Sequence, residues 1–194
     1  MRKIYTIIAG VNGVGKTTFT GVLKNELNLG CIVDVDQLVR LASGDNLAGS
    51  RIGIIKIRNC IHTGQSFAQE TTLSGHHVQK TIQKAKSLGY KIIVYYIGLN
   101  TPEESIKRIK NRVEKGGHNI DETIVKRRFK KRFADLAKIM PLCDEIRFYD
   151  NDNGFQFIGV FKKKQFIEKC KSNPIWFSEL IEYLDESKQN IFIH

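Results

Sequence analysis

From Lys3 to Gly10 the chain reads KIYTIIAG, a run of β-branched and apolar residues that predicts a buried strand. After a polar loop, KTTFTGVLKNELN changes the spacing, and Phe19, Val22, Leu23 and Leu27 recur at the helical period. CIVDV (31–35) predicts a second short strand. LVRLA (38–42) predicts a helix running from Asp36 as its cap, broken by Gly44, Asp45 and Asn46. An apolar stripe containing Ile52, Ile55 and Ile61 predicts a helix over 48–63. QSFAQE (65–70) reads as a third strand and 74–88 as a further helix. YKIIVYYIGL (90–99) is nearly continuous in β-formers, as expected of a central parallel strand buried on both faces.

Thr101-Pro102-Glu103-Glu104 supplies a cap, a first-turn proline and early acids for a helix to about Val113. KGGHN (115–119) then separates it from a second basic helix over 121–139. EIRFYD (145–150) and FQFIGVF (155–161) predict two antiparallel strands joined by an Asn-Gly turn, and a helix over 174–184 follows. Strands alternating with helices predict right-handed crossovers and an α/β fold of three layers, α/β/α. Its sheet is expected to be mostly parallel and five-stranded, with an antiparallel edge strand. Residues 1–194 are expected to form one domain, with a lid-like region at 103–139 and a helical tail at 162–194.

Charge and composition narrow the class of protein. The N-terminal apolar stretch is too short for a signal peptide, and nowhere do about eighteen apolar residues follow one another. A soluble, cytoplasmic protein with no membrane partner is the expectation. Cys31, Cys60, Cys143 and Cys170 have neither zinc nor disulfide spacing and read as free thiols. The net charge of +11 is spread along the chain, with Lys and Arg in segments 107–115, 126–132 and 162–171. Neither interleaved exposed aromatics nor a known nucleic-acid module is recognisable there, which disfavours a polynucleotide partner without closing that reading.

GVNGVGKT (10–17) is a complete G-x-x-x-x-G-K-[ST] between a predicted strand and a predicted helix, the context this motif requires. Gly10, Asn12, Gly13, Val14, Gly15, Lys16, Thr17 and Thr18 are therefore the expected nucleotide-binding residues. Loop N–H groups and the helix N-terminus would hold phosphates, Lys16 would reach the terminal ones, and Thr17 would offer its hydroxyl to magnesium.

The fate of the terminal phosphate depends on the remaining carboxylates and arginines. A switch or transport ATPase needs a second apolar strand ending in an acid, and the best candidate, IIVYYIGLN, ends in Asn100. LSGHH (73–77) shares its first three residues with the transporter signature LSGGQ but lacks the second glycine and the glutamine. A kinase needs a carboxylate to accept the acceptor's proton and arginines to neutralise the transferring group. Asp36, just past the second strand, fits the first role by position, whereas alternation turns Asp34 toward a structural hydrogen bond. Glu70, Thr72 and Ser74 stand at another strand end, where they would either bind a sugar or nucleotide or cap the next helix. Arg108, Arg112, Arg127, Arg128 and His118 surround the glycine loop as candidate lid residues.

Taken together, GVNGVGKTT, VDVDQL, LAGSRIGIIKIRNCIHTGQSFAQETTLSG, GYKIIVYYIGLNTPEESIKRIKNRVEKGGHNI and RFYDNDNG resemble the zeta-toxin family of P-loop kinases, in particular its compact branch, over residues 4–154. The resemblance implies transfer of phosphate from a nucleoside triphosphate to the 3′-hydroxyl of the amino-sugar in UDP-N-acetylglucosamine, and restraint by an antitoxin protein. It also implies that Lys16 and Thr17 serve phosphate and magnesium, Asp36 is the catalytic base, and Glu70 and Thr72 contact substrate. Arg112 and Arg128 would stand near the transferring phosphate.

The expected function is thus that of a P-loop kinase using ATP or GTP with magnesium to phosphorylate a small-molecule hydroxyl, most simply on a sugar nucleotide. Alternatives are a nucleoside or polynucleotide kinase and a nucleotide-binding ATPase or regulatory module without an acceptor.

Overall fold

The computed structural model describes residues 3–42, 45–117, 119–169 and 173–191, without the side chains of Asp36, Arg40, Asn46, Glu168, Lys169 and residues 188–191. The strands are β1 (Ile4–Ala9), β2 (Cys31–Asp34), β3 (Phe67–Thr71), β4 (Lys91–Gly98), β5 (Glu145–Asp150), β6 (Gln156–Lys162) and β7 (Gln165–Lys169). The helices are α1 (Lys16–Glu26), α2 (Val35–Leu41), α3 (Asn46–Thr63), α4 (His77–Ser87), α5 (Pro102–Glu114), α6 (Glu122–Ile139) and α7 (Ile175–Ile191). The strands form one sheet in the order β2-β3-β1-β4-β5-β6-β7. The first five are parallel, and β6 and β7 run antiparallel.

β4 is central, and its alternation explains its nearly unbroken apolar run. Ile92, Val94 and Tyr96 join the core under α3, α4, α6 and α7, while Tyr95 and Ile97 join the core under α1. Each face is thus covered by helix, as a parallel sheet demands. Among the described residues no helix is long and apolar enough to cross a membrane.

The five parallel strands match the expected set, but the antiparallel edge has two strands rather than one. β7 replaces the start of the expected helical tail, and α7 runs beyond 184 to Ile191. The β6–β7 turn explains the omission. Its central residues are Lys163 and Lys164, with φ of 53° and 64°, a left-handed pair that hairpins usually fill with asparagine and glycine. Two lysines in a basic run carry no visible turn signal.

Two helix starts also differ. Asp34 Oδ1 accepts from the Gln37 N–H at 3.1 Å, and α2 begins at Val35, so Asp34 rather than Asp36 caps it. α4 begins at His77 without a side-chain cap, so Thr72 and Ser74 do not cap it; their hydroxyls instead lie 2.8 Å from each other.

Candidate functional site

The phosphate-binding loop leaves the carboxyl end of β1 and enters α1, with three neighbouring segments pressed against it. Gly13 has φ of 72°, and a Cβ there would lie 2.6 Å from the Ser105 carbonyl oxygen. Gly15 has φ of 94°, and its Cβ would meet Asn151 Nδ2 at 2.7 Å. These positions need glycine both for conformation and for space. The loop is also tied down by polar contacts: Ser105 Oγ donates to the Asn12 carbonyl, and Asn151 Nδ2 donates to the Val14 carbonyl at 2.8 Å. Gly15 caps α1 without a side-chain hydrogen bond, which leaves the first-turn N–H groups directed at a ligand site. Lys16 Nζ lies over the loop, donating to the carbonyls of Gly10 at 3.1 Å and Val11 at 3.0 Å.

Glu70 stands beside this loop because β3 pairs directly with β1, in register Ile8 with Glu70. Its buried carboxylate accepts from Thr17 Oγ1 at 2.8 Å and from Thr20 Oγ1 at 2.7 Å. Burial raises its pKa; nearby Asp34 adds to that, while the two threonines and Lys16 pull it down. The acidic strand end sought next to β1 is therefore β3 rather than the strand ending near Asn100. That neighbour depends on strand order, which no local pattern reveals. Thr20 went unnoticed for the same reason, since it meets Glu70 from one helical turn beyond Lys16.

Thr17 and Glu70 are hard oxygen donors, suited to magnesium held by one or two side chains together with phosphates. Among the described residues no group of three or more His, Cys, Asp or Glu side chains is placed to hold a metal alone.

A cleft of about 340 Å³ opens beside the loop, lined by Asn12, Lys16, Asp34, Glu70, Thr72, Ser74 and Arg128, with apolar Ile54 and Ile57 of α3 opposite. Gln69 and His77 also line it, residues with no sequence signal of their own. Burial, then Arg58 and Lys80, lowers the His77 pKa, which favours its neutral form. Asp36 occupies the first turn of α2 at the end of β2, next to this cleft in the chain; its side chain lies outside the described residues. His118 lies outside them altogether.

The arginines divide between two places. Arg128 Nη1 donates to Asn12 Oδ1 at 3.0 Å, joining α6 to the loop across 116 residues of sequence. Arg127 and Arg128 line a groove with Ser74, Gly75, His76, Lys131, Lys138 and Asp135, the last two paired at 2.9 Å, and this groove shares Ser74 and Arg128 with the cleft. Arg108 and Arg112 instead border a second opening with Thr18. Arg112 is braced where α5 ends: Gly117 donates to its carbonyl at 2.9 Å and lies so close that a Cβ would sit 2.5 Å from Arg112 Cγ.

A parallel sheet of order 2-3-1-4-5, with the phosphate loop after its middle strand and basic helices beside it, is a P-loop kinase fold. The zeta toxin family model matches residues 48–159, more than half of the chain, and the chain belongs to that family. An uncharacterized protein of Haemophilus influenzae is 36% identical over 129 residues, spanning 62% of this chain and 88% of that protein. The structure from the PezAT chromosomal toxin-antitoxin system of Streptococcus pneumoniae has a TM-score of 0.61 at 16% identity, covering 100% of this chain and 88% of that one. The AvrRxo1-ORF1:ORF2 structure with ATP has a TM-score of 0.65 at 17% identity, covering 94% of this chain and 63% of that one. At these identities the structural likenesses concern the fold.

Proposed function

We propose that this protein is a cytoplasmic, magnesium-dependent kinase that moves the terminal phosphate of ATP or GTP to a hydroxyl of a sugar nucleotide, most simply UDP-N-acetylglucosamine. The observation that carries this reading is that the cleft and the neighbouring groove share Ser74 and Arg128. The cleft is lined by Lys16 and by Glu70, the partner of Thr17, beside which a triphosphate would end, and through Ser74 and Arg128 it adjoins the groove that carries Arg127 and Lys131. An acceptor with a hydroxyl at one end and phosphates at the other fits the pair.

In this reading the loop N–H groups and Lys16 hold the donor phosphates. Thr17 and Glu70 would hold magnesium, which when bound supplies charge neutralisation on the phosphate oxygens. Thr72 and Ser74 orient the acceptor. Asp36 takes the hydroxyl proton as the acceptor oxygen bonds to the terminal phosphorus, and the bridging oxygen bond to the departing diphosphate breaks. Arg128 and Arg112 offset the negative charge that develops. Family membership supports an antitoxin as the partner that restrains the enzyme.

The second reading, a nucleoside or polynucleotide kinase, is favoured by the same basic groove and by the net charge of +11. An ATPase or regulatory module would hydrolyse nucleotide without any acceptor. The test is incubation with labelled ATP or GTP and a panel of UDP-amino-sugars, other sugar nucleotides, nucleosides and 5′-hydroxyl RNA. Label on a UDP-amino-sugar supports the proposal. Label on RNA, lost steeply as salt rises, supports the second reading, and acceptor-independent release of phosphate supports the third.

A further inference from the structure

Helix α7 lies beyond the span matched by the family model, yet its first turn is bonded to Asp150 and Asn100, which hold the loop that buttresses the phosphate site. Trp176 is 1% exposed and lies against Gly98 at the end of β4; a Cβ on Gly98 would stand 2.2 Å from the indole. Its Nε1–H donates to Asp150 Oδ1 at 2.8 Å, and its backbone N–H donates to Asn100 Oδ1 at 3.0 Å. Both acceptors are ends of the next links. Asp150 Oδ2 accepts from the Asp152 N–H at 3.2 Å, and the Asn100 side-chain amide donates to Asp152.

The loop so held, residues 151–155, reaches the site in two directions. Asn151 donates to the Val14 carbonyl in the phosphate loop at 2.8 Å, and the Asp152 carbonyl accepts from Arg108 Nη2 at 3.1 Å. Phe155 closes the contact, with a ring carbon 3.3 Å from where a Gly15 Cβ would stand. Every link is a hydrogen bond or a packed ring, and Trp176 and Asp150 are buried.

We infer that Trp176 is a positioning residue: it fixes loop 151–155, and through it the phosphate loop and Arg108, so that α7 sets nucleotide affinity without touching nucleotide. The inference rests on the proposed donor site only in its second readout.

The adjacent Phe177 provides the control. It is fully buried in the same helical turn, packing against Phe148, Phe166 and the Trp176 ring itself, but its side chain contributes no group to this chain of hydrogen bonds. Trp176→Phe keeps a ring and removes the indole donor. Asp150→Asn leaves one acceptor for two donors, the Trp176 indole N–H and the Asp152 N–H, and so breaks the chain of bonds from the sheet side while keeping the rings of α7. Phe177→Leu loosens the ring packing around Trp176 and removes none of the hydrogen bonds. Amide hydrogen exchange is measured on all variants without nucleotide, and ATP affinity by titration, with melting temperatures recorded for each.

Trp176→Phe and Asp150→Asn are expected to speed exchange at 10–15 and 151–155 and to weaken ATP binding, each by about tenfold, the factor that ~1.4 kcal/mol represents. Phe177→Leu, at an equal or greater loss of melting temperature, is expected to leave both readouts at the wild-type value. If Phe177→Leu shifts them as much, or if Trp176→Phe and Asp150→Asn shift neither, the positioning role is wrong. If the wild-type protein binds neither ATP nor GTP, the donor reading fails, and the exchange data still decide the coupling.

Discussion

Glu70→Gln separates what this buried carboxylate does for the fold from what it does for chemistry. In the folded protein its pKa is raised, chiefly by burial. A carboxyl with a raised pKa contributes stability that is fully present below its unfolded value, about 4.3, and is lost as pH rises through the folded value. At neutral pH the ionised group is therefore a stability cost, offset by the hydroxyl bonds from Thr17 at 2.8 Å and Thr20 at 2.7 Å. Glutamine keeps an acceptor for one hydroxyl and presents an amide donor to the other. It loses one charge-assisted bond, worth about 1.5–3 kcal/mol, and removes a desolvation cost of similar size. The net change is within about 1 kcal/mol, or a few degrees of melting temperature for a domain of this size.

Catalysis should respond differently to that substitution. Loss of the carboxylate beside Thr17 removes charge complementarity to magnesium, and a fall in kcat of about a hundredfold or more is expected. Scanning fluorimetry at neutral pH and near pH 4, together with a magnesium titration of phosphate transfer, measures both effects. Relative to wild type, Glu70→Gln should be favoured more at neutral pH than at acid pH. Wild-type transfer at ordinary magnesium, or a melting temperature lower by more than about 6 °C at neutral pH, would refute the reasoning.

Three further substitutions address the rest of the site. Asp36→Asn should lower transfer by about a thousandfold while leaving ATP affinity unchanged, as read by single-turnover kinetics and titration; retained transfer would remove Asp36 from the base role. Gly13→Ala should abolish nucleotide binding, because its Cβ would stand 2.6 Å from the Ser105 carbonyl oxygen at a φ of 72°, and equilibrium titration measures this. Arg128→Lys keeps the charge but loses the planar guanidinium that reaches Asn12, so kcat should fall at least about tenfold with a smaller change in ATP affinity.

The parts of this structure legible in the sequence are those whose physics is local. The glycine spacing of the phosphate loop, the unbroken apolar run of β4 and the Thr101 cap of α5 each depend on residues within a few positions of one another. Asp121 likewise caps α6 where the pattern placed that start. What escaped depends on partners distant in sequence or on a conformation with no compositional mark. Glu70 meets Thr17 only because β3, not β2, lies next to β1. Arg128 meets Asn12 across 116 residues, and Trp176 meets Asp150 from a helix beyond the recognisable motifs. The lysine pair at the β6–β7 turn adopts a backbone form that its residue type does not advertise. The two-residue shift of the α2 cap from Asp36 to Asp34 has the same origin, since both are aspartates and either satisfies the capping pattern.

The most direct test of the kinase reading is the partition of labelled terminal phosphate between an acceptor and water. Wild-type protein with magnesium, labelled ATP and UDP-N-acetylglucosamine should place most of the released label on the sugar nucleotide, and Lys16→Ala should place none. Release of label only as free phosphate, at a rate indifferent to the sugar nucleotide and the other acceptors, would contradict it.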